Sequence, residues 1–394
     1  MSTAMTDAMT HKALKVCHVT TVHDPLDDRI FYRECVTLAE AGYRVVIVAP
    51  AASSEVRAGV SLRAIPRPSR RMQRMTSTLW SACRAAVDEN ADLYHVHDPE
   101  LLPFGFVLRL FGKQVIYDAH EDLPDDVMAK DWIPGWLRAP VAVLMGLLTR
   151  LSGEICSGIV AANPRIARRF PVFKTAIVQN FPRISAATSV AAEDYADRPQ
   201  TLVYVGSITR IRGIIQMIDA LARPVVPRDA RLVIAGSFGT YGDPELEQSV
   251  RSSTGWQRVD FLGWRSHTDV RALLQSARVG LLLFHPEKPH IEAQPTKLFE
   301  YMSAGIPIVA SDFPLWREIL EGAGCGLVVD PLDCDAIARA IASLLADPQR
   351  AEEMGRRGQQ AVRSRYGWEP QGDRLLGLYA RLESGDGRLA VSHV

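Results

Sequence analysis

The sequence lacks the marks of metal-binding, disulfide-bonded and nucleic-acid-binding proteins. Its six cysteines are scattered, and no CxxC or CxxxC pair appears, so neither a zinc site nor a disulfide framework is indicated. Lys and Arg together number 45, and so do Asp and Glu, so no excess of positive charge is present to attract a polyanion. We therefore expect reduced cysteines packed as small core residues and no nucleic-acid partner.

Long hydrophobic runs are also lacking. The N-terminal residues hold no apolar run of the length that a signal peptide needs. The longest uncharged apolar run, 139–149, has 11 residues, whereas a membrane span needs roughly 20. These absences predict a cytoplasmic protein without a membrane-spanning helix.

Short β-branched runs alternate with stretches of helical period along most of the chain. Such runs fall at 15–22, 44–50, 60–65, 92–98, 114–120 and 158–163, and again at 201–207, 231–237, 259–264, 279–284, 306–311 and 325–330. Near-continuous apolar strands separated by helices predict parallel sheets covered on both faces. A polar, Ala/Ser-rich stretch, 180–200, separates the two series.

We predict an α/β protein with two Rossmann-like, doubly wound domains. The N-terminal domain covers 1–180, the C-terminal domain covers 200–366, and 367–394 is helical. A chain of 394 residues exceeds the size of one hydrophobic core, which agrees with two domains. Ligands of open parallel sheets bind beyond the carboxyl ends of the strands, so the default site is the cleft between the domains.

The segment IEAQPTKLFEYMSAGIPIVAS (291–311) places a cation where a helix begins. Pro295 suits the first helical position, and Gly305 suits the end of the helix. Lys297 then lies in the first turn, where the helix dipole opposes a positive charge by roughly a few tenths of a kcal/mol. An anion such as phosphate bound at this helix N-terminus would explain the lysine. The alternative is that Lys297 reaches into water and Glu300 is a solvated residue on the face of the helix.

A second candidate for phosphate binding is VYVGSITRIRGIIQMIDAL (203–221), which predicts a strand, a loop and a helix. Gly206 allows the backbone to approach a ligand closely. Arg210 and Arg212 precede Gly213 and the helix. The loop is neither a P-loop nor a GxGxxG fingerprint, which argues against an ATPase and an NAD enzyme.

These two segments carry a family resemblance. EAQPTKLFEYMSAGIPIVAS resembles the E-x7-E signature region of the family 4 retaining glycosyltransferases, and YVGSITRIRG resembles the family's GRLxxxKG loop. VDFLGW, GLLLFHPE and GCGLVVDPLDCDAIARAI match further family landmarks. The resemblance is specific over 200–366 and looser but continuous over 15–180.

The resemblance implies a GT-B fold, in which two Rossmann-like domains face a central cleft and a C-terminal helix, 367–394, returns to the N-terminal domain. It implies transfer of a sugar from a nucleotide-sugar donor of the UDP or GDP type, with retention of configuration and without a metal or other cofactor. The acceptor would be a saccharide or a lipid-linked acceptor in cell-surface polysaccharide synthesis. The front-face mechanism proposed for such enzymes requires no carboxylate nucleophile.

The resemblance also assigns roles to single residues. Glu300 would bind the ribose, and Glu292 would lie beside the transferred sugar. Ser207 stands where the family has an arginine, and Arg212 stands where it has a lysine, so we expect Arg212 and Lys297 to carry the diphosphate charge. The predicted donor site comprises Gly206, Ser207, Arg210, Arg212, Lys297, Leu298 and Glu300. The predicted catalytic residues are His120, Glu292, Arg212 and Lys297.

Histidines follow three predicted strands of the N-terminal domain, where we expect the acceptor to bind. The candidates for acceptor binding are His23, Asp24, Arg29, His97, Asp98 and Glu121. By resemblance His120 would contact the donor sugar. A strand-end histidine is often structural, and that alternative stays open for each. A metal site is disfavoured because no two of these histidines lie at i, i+4 on a helix and no cysteine joins them.

An anionic membrane surface is a further expected partner. Residues 61–84 hold six arginines and no acid, and Trp132 and Trp136 precede the apolar run at 139–149. A basic surface with Trp suits peripheral docking on the inner face of the cell membrane. The alternative is a solvated arginine face and a core helix, and aliphatic residues on all sides of 139–149 favour burial.

Two other functions remain open on sequence grounds. A sugar-nucleotide 2-epimerase of the GT-B type would turn over a donor without an acceptor. A non-catalytic two-lobed sugar-binding protein would bind a sugar without turnover, but it would leave the placement of the arginines and the lysine after strands unexplained.

Overall fold

The computed structural model describes residues 14–68, 70–128, 133–183, 195–239 and 242–384. The chain divides into two compact units. The N-terminal unit comprises 1–180 and 368–394, and the C-terminal unit comprises 181–367. Trp132 and most of the stretch 180–200 lie outside the described residues.

The described part of the N-terminal unit contains an eight-stranded sheet in the order β3-β4-β2-β1-β5-β6-β7-β8. The strands are β1 Lys15–Val19, β2 Arg44–Pro50, β3 Glu55–Arg57, β4 Val60–Ile65, β5 Leu93–Val96, β6 Gln114–Ala119, β7 Gly158–Ala161 and β8 Thr175–Ile177. The described pairs are parallel except for β3 and β4. The strand order reverses between β1 and β5, which creates a crevice beyond their carboxyl ends.

Helices cover both faces of this sheet. A π-helical segment, Asp28–Cys35, continues as α1 Val36–Glu40, and another, Arg74–Thr78, joins α2 to α3. The other helices are α2 Arg71–Gln73, α3 Leu79–Glu89, α4 Leu102–Leu110, α5 Leu123–Met128, α6 Gly135–Ile155, α7 Pro164–Ala167 and the C-terminal helix, which is α16 Glu369–Ser384. Two apolar clusters fill the spaces between the sheet and its helices.

The C-terminal unit has a six-stranded sheet among its described residues, with the order β11-β10-β9-β12-β13-β14 and parallel pairs. Its strands are β9 Thr201–Val205, β10 Arg231–Ala235, β11 Val259–Gly263, β12 Val279–Leu282, β13 Ile308–Ser311 and β14 Gly326–Val329. Its helices are α8 Ile214–Leu221, α9 Pro244–Arg251, α10 His267–Ser276, α11 Lys288–Ile291, α12 Thr296–Ala304, α13 Pro314–Ala323, α14 Cys334–Ala346 and α15 Pro348–Ser364. The order reverses between β9 and β12, as in a Rossmann fold.

The predicted fold class is confirmed, and each predicted strand has a counterpart. The sequence reasoning missed β3 and β8, which have three residues each and lie at the two edges of the N-terminal sheet. Strands this short carry too few residues for a periodic signal. All six cysteines are free, and Cys17, Cys35 and Cys156 are buried in the N-terminal unit.

The C-terminal helix α16 packs in the N-terminal unit, where it contacts β7 and β8. Leu375, Leu378 and Tyr379 of this helix are buried in a core cluster with residues of β1, β2 and β7. Trp368, just before the helix, is also buried, and its Nε1–H donates to Thr37 Oγ1 at 2.8 Å. The end of the chain therefore contributes to the core formed by its beginning.

Helix α6 has an exposed apolar face, although its sequence favoured burial. The exposed fractions of the residues on this face are 78% for Trp136, 73% for Val143, 57% for Leu144, 54% for Leu147 and 41% for Leu151. Thr149, Ser152 and Gly153 are its buried residues. Among the described residues, none of the helices combines the length and the hydropathy needed to cross a bilayer.

Candidate functional site

The loop after β9 lies where the strand order of the C-terminal unit reverses. Gly206 adopts a φ of +124°, and its N–H donates to Ala235 O of the neighbouring strand at 2.8 Å. Arg210–Arg212 form a single 3-10 turn, and Gly213, with a φ of +76°, directly precedes α8. A Cβ at Gly213 would lie 1.9 Å from Leu283 O, so this glycine allows the loop to pack against the end of β12.

Lys297 lies directly against this loop. It is the second residue of α12, and Pro295 is the residue that precedes the helix rather than its first residue. A Cβ at Gly206 would lie 2.3 Å from Cε and 2.7 Å from Nζ of Lys297, so only glycine leaves room for the lysine here. The hydroxyl of Tyr301 on the same helix accepts a hydrogen bond from Val205 N at 3.0 Å, which fixes α12 to β9.

Two positive groups are close together at this strand end. Burial lowers the pKa of Lys297, and the charge of Arg212 lowers it further, while Glu300 opposes the shift. Arg212 Nη1 donates to Ser207 O at 3.4 Å, and its guanidinium lies 5.5 Å from the centre of the Phe284 ring. An anion placed between two such cations would relieve their repulsion and restore the lysine's ordinary basicity.

The remaining predicted donor and catalytic residues of the C-terminal unit differ in their exposure to solvent. Ser207 lies in the loop, where its carbonyl also accepts from Tyr204 Oη at 2.7 Å. Arg210 and Glu292 are exposed, and Glu300 is half-buried one turn after Lys297. Leu298 differs from the expectation of a ligand contact, because its side chain is fully buried in the core and its N–H donates to Pro295 O at 3.1 Å.

The sequence reasoning missed His285, which follows β12 beside the loop after β9. Its N–H donates to Ile211 O at 2.8 Å, and its Nε2 lies 3.0 Å from Gln216 Oε1 on α8. His285 therefore ties the loop that carries Arg212 to the start of α8. His285 could have been selected from the sequence, because it follows a strand next to the point where the strand order reverses.

Asp118, in β6 of the N-terminal unit, is the centre of a buried polar cluster. Arg29 donates from Nε to Oδ2 at 3.1 Å and from Nη2 to Oδ1 at 2.8 Å. His97 Nδ1 lies 3.1 Å from Oδ2, and His120 Nε2 lies 3.5 Å from the same oxygen. Burial acts to raise the pKa of Asp118, but the charge of Arg29 and the hydrogen bonds from His97 and Arg29 hold it well below its usual range.

This cluster changes the expected role of Arg29. The sequence placed Arg29 among the acceptor-binding residues, but its side chain is buried, and its Nη1 donates to Val178 O at 2.8 Å. All of its nitrogens thus face the interior of the unit. Asp118, which the sequence reasoning did not select, is the residue that holds it.

Asp98 and Asp24 both accept hydrogen bonds that stabilise the local backbone structure. Asp98 is buried and accepts from Thr20 Oγ1 at 2.8 Å and from Thr21 N at 2.6 Å, so it holds the loop after β1. Asp24 is exposed, and its Oδ1 accepts from Leu26 N at 2.9 Å in a turn. His97, expected to contact the acceptor, is also buried.

Besides Asp24, the predicted residues His23, His120 and Glu121 remain accessible at this sheet edge. His23 is half-buried, with Nε2 at 3.6 Å from Asp98 Oδ1 and Nδ1 at 3.7 Å from Asp27 Oδ2. Burial acts to lower the pKa of His23, but Asp27 and Asp98 outweigh burial and raise it. His120 is half-buried with its ring 5.3 Å from that of His23, and Glu121 is exposed. Burial lowers the pKa of His120 to about 3, so this imidazole is neutral.

Two groups of described side chains present atoms close enough to bind one metal ion. The first consists of His18, Glu34, His95 and His97, and the second of His97, Asp118 and His120. In the first, His18 Nδ1 faces His97 Nε2 at 2.9 Å with the rings nearly coplanar and their centres 5.1 Å apart, which is the geometry of an N–H···N hydrogen bond. In the second, Arg29 occupies both oxygens of Asp118 and would repel a cation. Both geometries favour hydrogen bonding over metal ligation.

Solved structures share this architecture. The chain matches sucrose-phosphate synthase from Thermosynechococcus elongatus with a TM-score of 0.75 at 19% identity, over 95% of this chain and 100% of that one. It matches HepE of Anabaena, solved in complex with UDP and glucose, with a TM-score of 0.69 at 14% identity, over 93% and 99%. WaaG, a glycosyltransferase involved in lipopolysaccharide biosynthesis, gives a TM-score of 0.67 at 15% identity, over 92% and 99%. The fold class is GT-B.

Sequence comparison identifies the family. The model described as "Glycosyl transferase 4-like domain" matches residues 28–198, and the one described as "Glycosyl transferases group 1" matches 188–361. Together the two models cover well over half of the chain. The chain therefore belongs to the glycosyltransferases of the family 4 type.

Curated relatives share about a quarter of their aligned residues with this chain. The chain is 26% identical to phosphatidyl-myo-inositol mannosyltransferase of Mycobacterium leprae, over 89% of this chain and 91% of that protein. It is 27% identical to glycogen synthase of Mycobacterium tuberculosis, over 65% of this chain and 60% of that protein. The match thus spans less than two thirds of the length of the glycogen synthase.

Proposed function

We propose that the protein is a retaining glycosyltransferase that moves a sugar from a UDP- or GDP-type nucleotide-sugar donor to a saccharide or lipid-linked acceptor in cell-surface glycan synthesis. The observation that carries the proposal is the contact of Lys297 with Gly206, beside Arg212, at the switch point of the C-terminal sheet. The family match supports glycosyl transfer in general. The names of relatives support the acceptor class, because one is a mannosyltransferase of phosphatidyl-myo-inositol.

The chemistry follows from the charges. A departing nucleoside diphosphate gains negative charge in the transition state, and fixed cations stabilise that charge without reorganising. We assign this role to Arg212, Lys297 and the N-terminus of α12, with no metal or other cofactor required. Glu300 would bind the ribose, and Glu292 and His120 would contact the transferred sugar, with Gly206 and Ser207 lining the diphosphate.

A transfer assay tests the proposal. Purified protein is incubated with UDP- and GDP-sugars and with candidate acceptors, namely phosphatidylinositol, polyprenyl-diphosphate sugars and oligosaccharides, and both nucleotide release and product are measured. Lys297→Met and Arg212→Met should each lower turnover at least about tenfold, because each removes a charge-assisted contact. Lys288→Met, which removes an exposed lysine on α11, is the matched control.

The rival functions give different outcomes in the same assay. An epimerase would release nucleotide and an altered sugar without acceptor. A binding protein would show sugar binding without nucleotide release. Full activity of both the Lys297 and the Arg212 variants would place the diphosphate site elsewhere.

We also propose that the exposed face of α6 docks on an anionic bilayer, on the cytoplasmic side. Trp136, Val143, Leu144, Leu147 and Leu151 form one apolar stripe along this 21-residue helix. Arginines at 138 and 150 lie near its two ends, and 61–84 adds further positive charge in the same unit. A stripe that combines Trp, aliphatic residues and flanking arginines suits the interface of an anionic membrane.

Vesicle sedimentation tests this docking surface. The wild type should bind vesicles that contain phosphatidylglycerol and not vesicles of phosphatidylcholine alone. Leu144→Ser with Leu147→Ser should release it, whereas Leu110→Ser, at an exposed leucine on α4, should not. Equal sedimentation of the double variant would refute the proposal, and concentration-dependent dimerisation lost in that variant would assign the face to a second copy instead.

A further inference from the structure

A hydrogen-bonded chain of fully buried polar side chains extends from Asp118. The proposed function assigns no role to these side chains. His97 Nδ1 contacts Asp118, and His97 Nε2 contacts His18 Nδ1 at 2.9 Å. His18 Nε2 lies 3.4 Å from the hydroxyl of Tyr379, which lies 2.8 Å from His95 Nδ1. The chain thus joins β6, β5, β1 and the C-terminal helix α16.

The charge of Asp118 sets the direction of every hydrogen bond in this chain. An ionised carboxylate only accepts, so His97 must present Nδ1–H to it and keep a lone pair on Nε2. His18 must then donate from Nδ1–H and accept at Nε2 from the Tyr379 hydroxyl. The oxygen of Tyr379, having donated its hydrogen, accepts from His95 Nδ1–H. One carboxylate therefore determines the tautomers of three imidazoles.

The charges around the chain balance when all three imidazoles are neutral. Arg29 supplies one positive charge, and Asp118 supplies one negative charge. Glu34, also fully buried, lies 3.2 Å from Arg29 Nε and 3.9 Å from His95 Nδ1, and neither of its oxygens has a hydrogen bond. Burial and the charge of Asp118 raise the pKa of Glu34 well above its usual range, which favours the neutral form of this acid. A proton added to any imidazole here would be a buried, unbalanced charge.

We propose that His97, His18 and Tyr379 are positioning residues that hold Asp118 so that His120 turns Nε2–H inward and presents the lone pair of Nδ1 at the accessible edge of the site. His120 Nε2 is buried and has no hydrogen-bond partner at this geometry, while Asp118 Oδ2 lies 3.5 Å away. A lone pair on Nε2 would face the negative carboxylate, whereas an N–H there would be attracted to it, and this contrast carries the orientation. His120 then acts as a hydrogen-bond acceptor, and the group that it selects is a donor such as a sugar hydroxyl. This last step rests on the proposed glycosyl transfer, whereas the tautomers do not.

Nitrogen NMR tests the tautomers without any substrate. Protein labelled with ¹⁵N-histidine is examined near neutral pH by long-range ¹H–¹⁵N correlation, and signals are assigned with single histidine variants. His97, His18 and His95 should each be neutral with the proton on Nδ1, and His120 should carry it on Nε2. Finding His97 doubly protonated, or protonated on Nε2 alone, would overturn the direction of the chain.

Removal of the Tyr379 hydroxyl tests the end of the hydrogen-bonded chain that is farthest from Asp118. Tyr379→Phe keeps the ring that packs in the core and removes only the oxygen between His95 and His18. His95 should lose its Nδ1–H preference, while His97 keeps its own because Asp118 still accepts from it. Unchanged spectra at His95 and His18 would show that the hydroxyl does not link them.

The positioning role has its own test, with a matched pair at one position. In His97→Asn the amide can place an N–H near the former Nδ1, whereas in His97→Gln the amide lies near the former Nε2 and leaves Asp118 without that donor. With the donor found in the transfer assay, His97→Asn should retain a kcat about tenfold or more above that of His97→Gln, with similar KM values. Equal kcat values would refute the positioning role, and absence of transfer by the wild type would count against the proposed function alone.

Discussion

Replacing Gly206 by alanine tests the proposed diphosphate site. The new Cβ would stand 2.3 Å from Cε and 2.7 Å from Nζ of Lys297, far inside van der Waals contact. The lysine side chain is the part that can move, so the substitution should push the ammonium away from the end of β9. Alanine would also have to adopt the φ of +124° that glycine has here.

The substitution should have two effects, one on the stability of the protein and one on the binding of nucleoside diphosphate. The positive φ should cost roughly 1–3 kcal/mol of stability. Loss of one charge-assisted hydrogen bond from Lys297 to a phosphate should cost roughly 1.5–3 kcal/mol of binding free energy. That loss corresponds to a nucleoside diphosphate Kd raised roughly 10- to 100-fold.

Calorimetry and thermal unfolding separate these two effects. Gly263→Ala is the matched control, because Gly263 also has a positive φ, +69°, in the same unit, and nothing lies within 4 Å of its added Cβ. The control should lower the Tm and leave the Kd unchanged, whereas Gly206→Ala should change both. A Gly206→Ala protein that binds nucleoside diphosphate like the wild type would refute the assignment of Lys297.

Two other outcomes follow from the same structure. Glu300→Ala should weaken nucleotide binding in calorimetry, while Glu292→Ala should leave it unchanged and lower turnover; the reverse pattern would exchange the ribose and sugar roles. Burial lowers the pKa of His18 and His95 well below the usual value and that of His120 to about 3, so the unfolded chain binds protons that the folded chain does not. The free energy of unfolding of this unit should therefore fall as the pH drops below about 6.5, by up to about 1.4 kcal/mol per pH unit for each of the three. His23, whose pKa is raised, opposes this loss. Urea unfolding between pH 7.5 and 5 measures the slope, and a flat profile would contradict neutral imidazoles.

The fold was predictable because it depends on pattern. Near-continuous apolar strands alternating with helices indicate a parallel sheet wherever the strands are long enough to show a period. The meeting of Gly206, Arg212 and Lys297 was predictable for a related reason, since these residues follow strands or begin helices at the point of reversal. Chain order alone brings such residues to one edge of a sheet.

The buried cluster of the N-terminal unit was beyond such reasoning. Side chains at the ends of three strands were identified, but the sequence does not tell which face inward. Asp118 lies within a strand, and Tyr379 comes from a helix more than 250 residues further along the chain. Their hydrogen bonds to histidines depend on tertiary packing that no local period records.

The exposed face of helix α6 was also not predictable from the sequence pattern. Aliphatic residues on all sides of 139–149 favoured a buried helix, yet Val143, Leu144 and Leu147 are exposed. The side that packs inward uses small residues, Thr149, Ser152 and Gly153. A Cβ at Gly153 would lie 2.9 Å from Cδ of Pro171, so close approach rather than apolar area decides which face is buried.

The most direct test of the account is calorimetric binding of UDP, GDP and ADP to the wild type and to Lys297→Met, first with EDTA and then with magnesium. The account predicts that one nucleoside diphosphate binds in EDTA, that magnesium does not tighten it, and that the variant binds it at least about tenfold more weakly. Binding that requires magnesium, or equal binding by the variant, would contradict a diphosphate site formed by the cations at the end of β9.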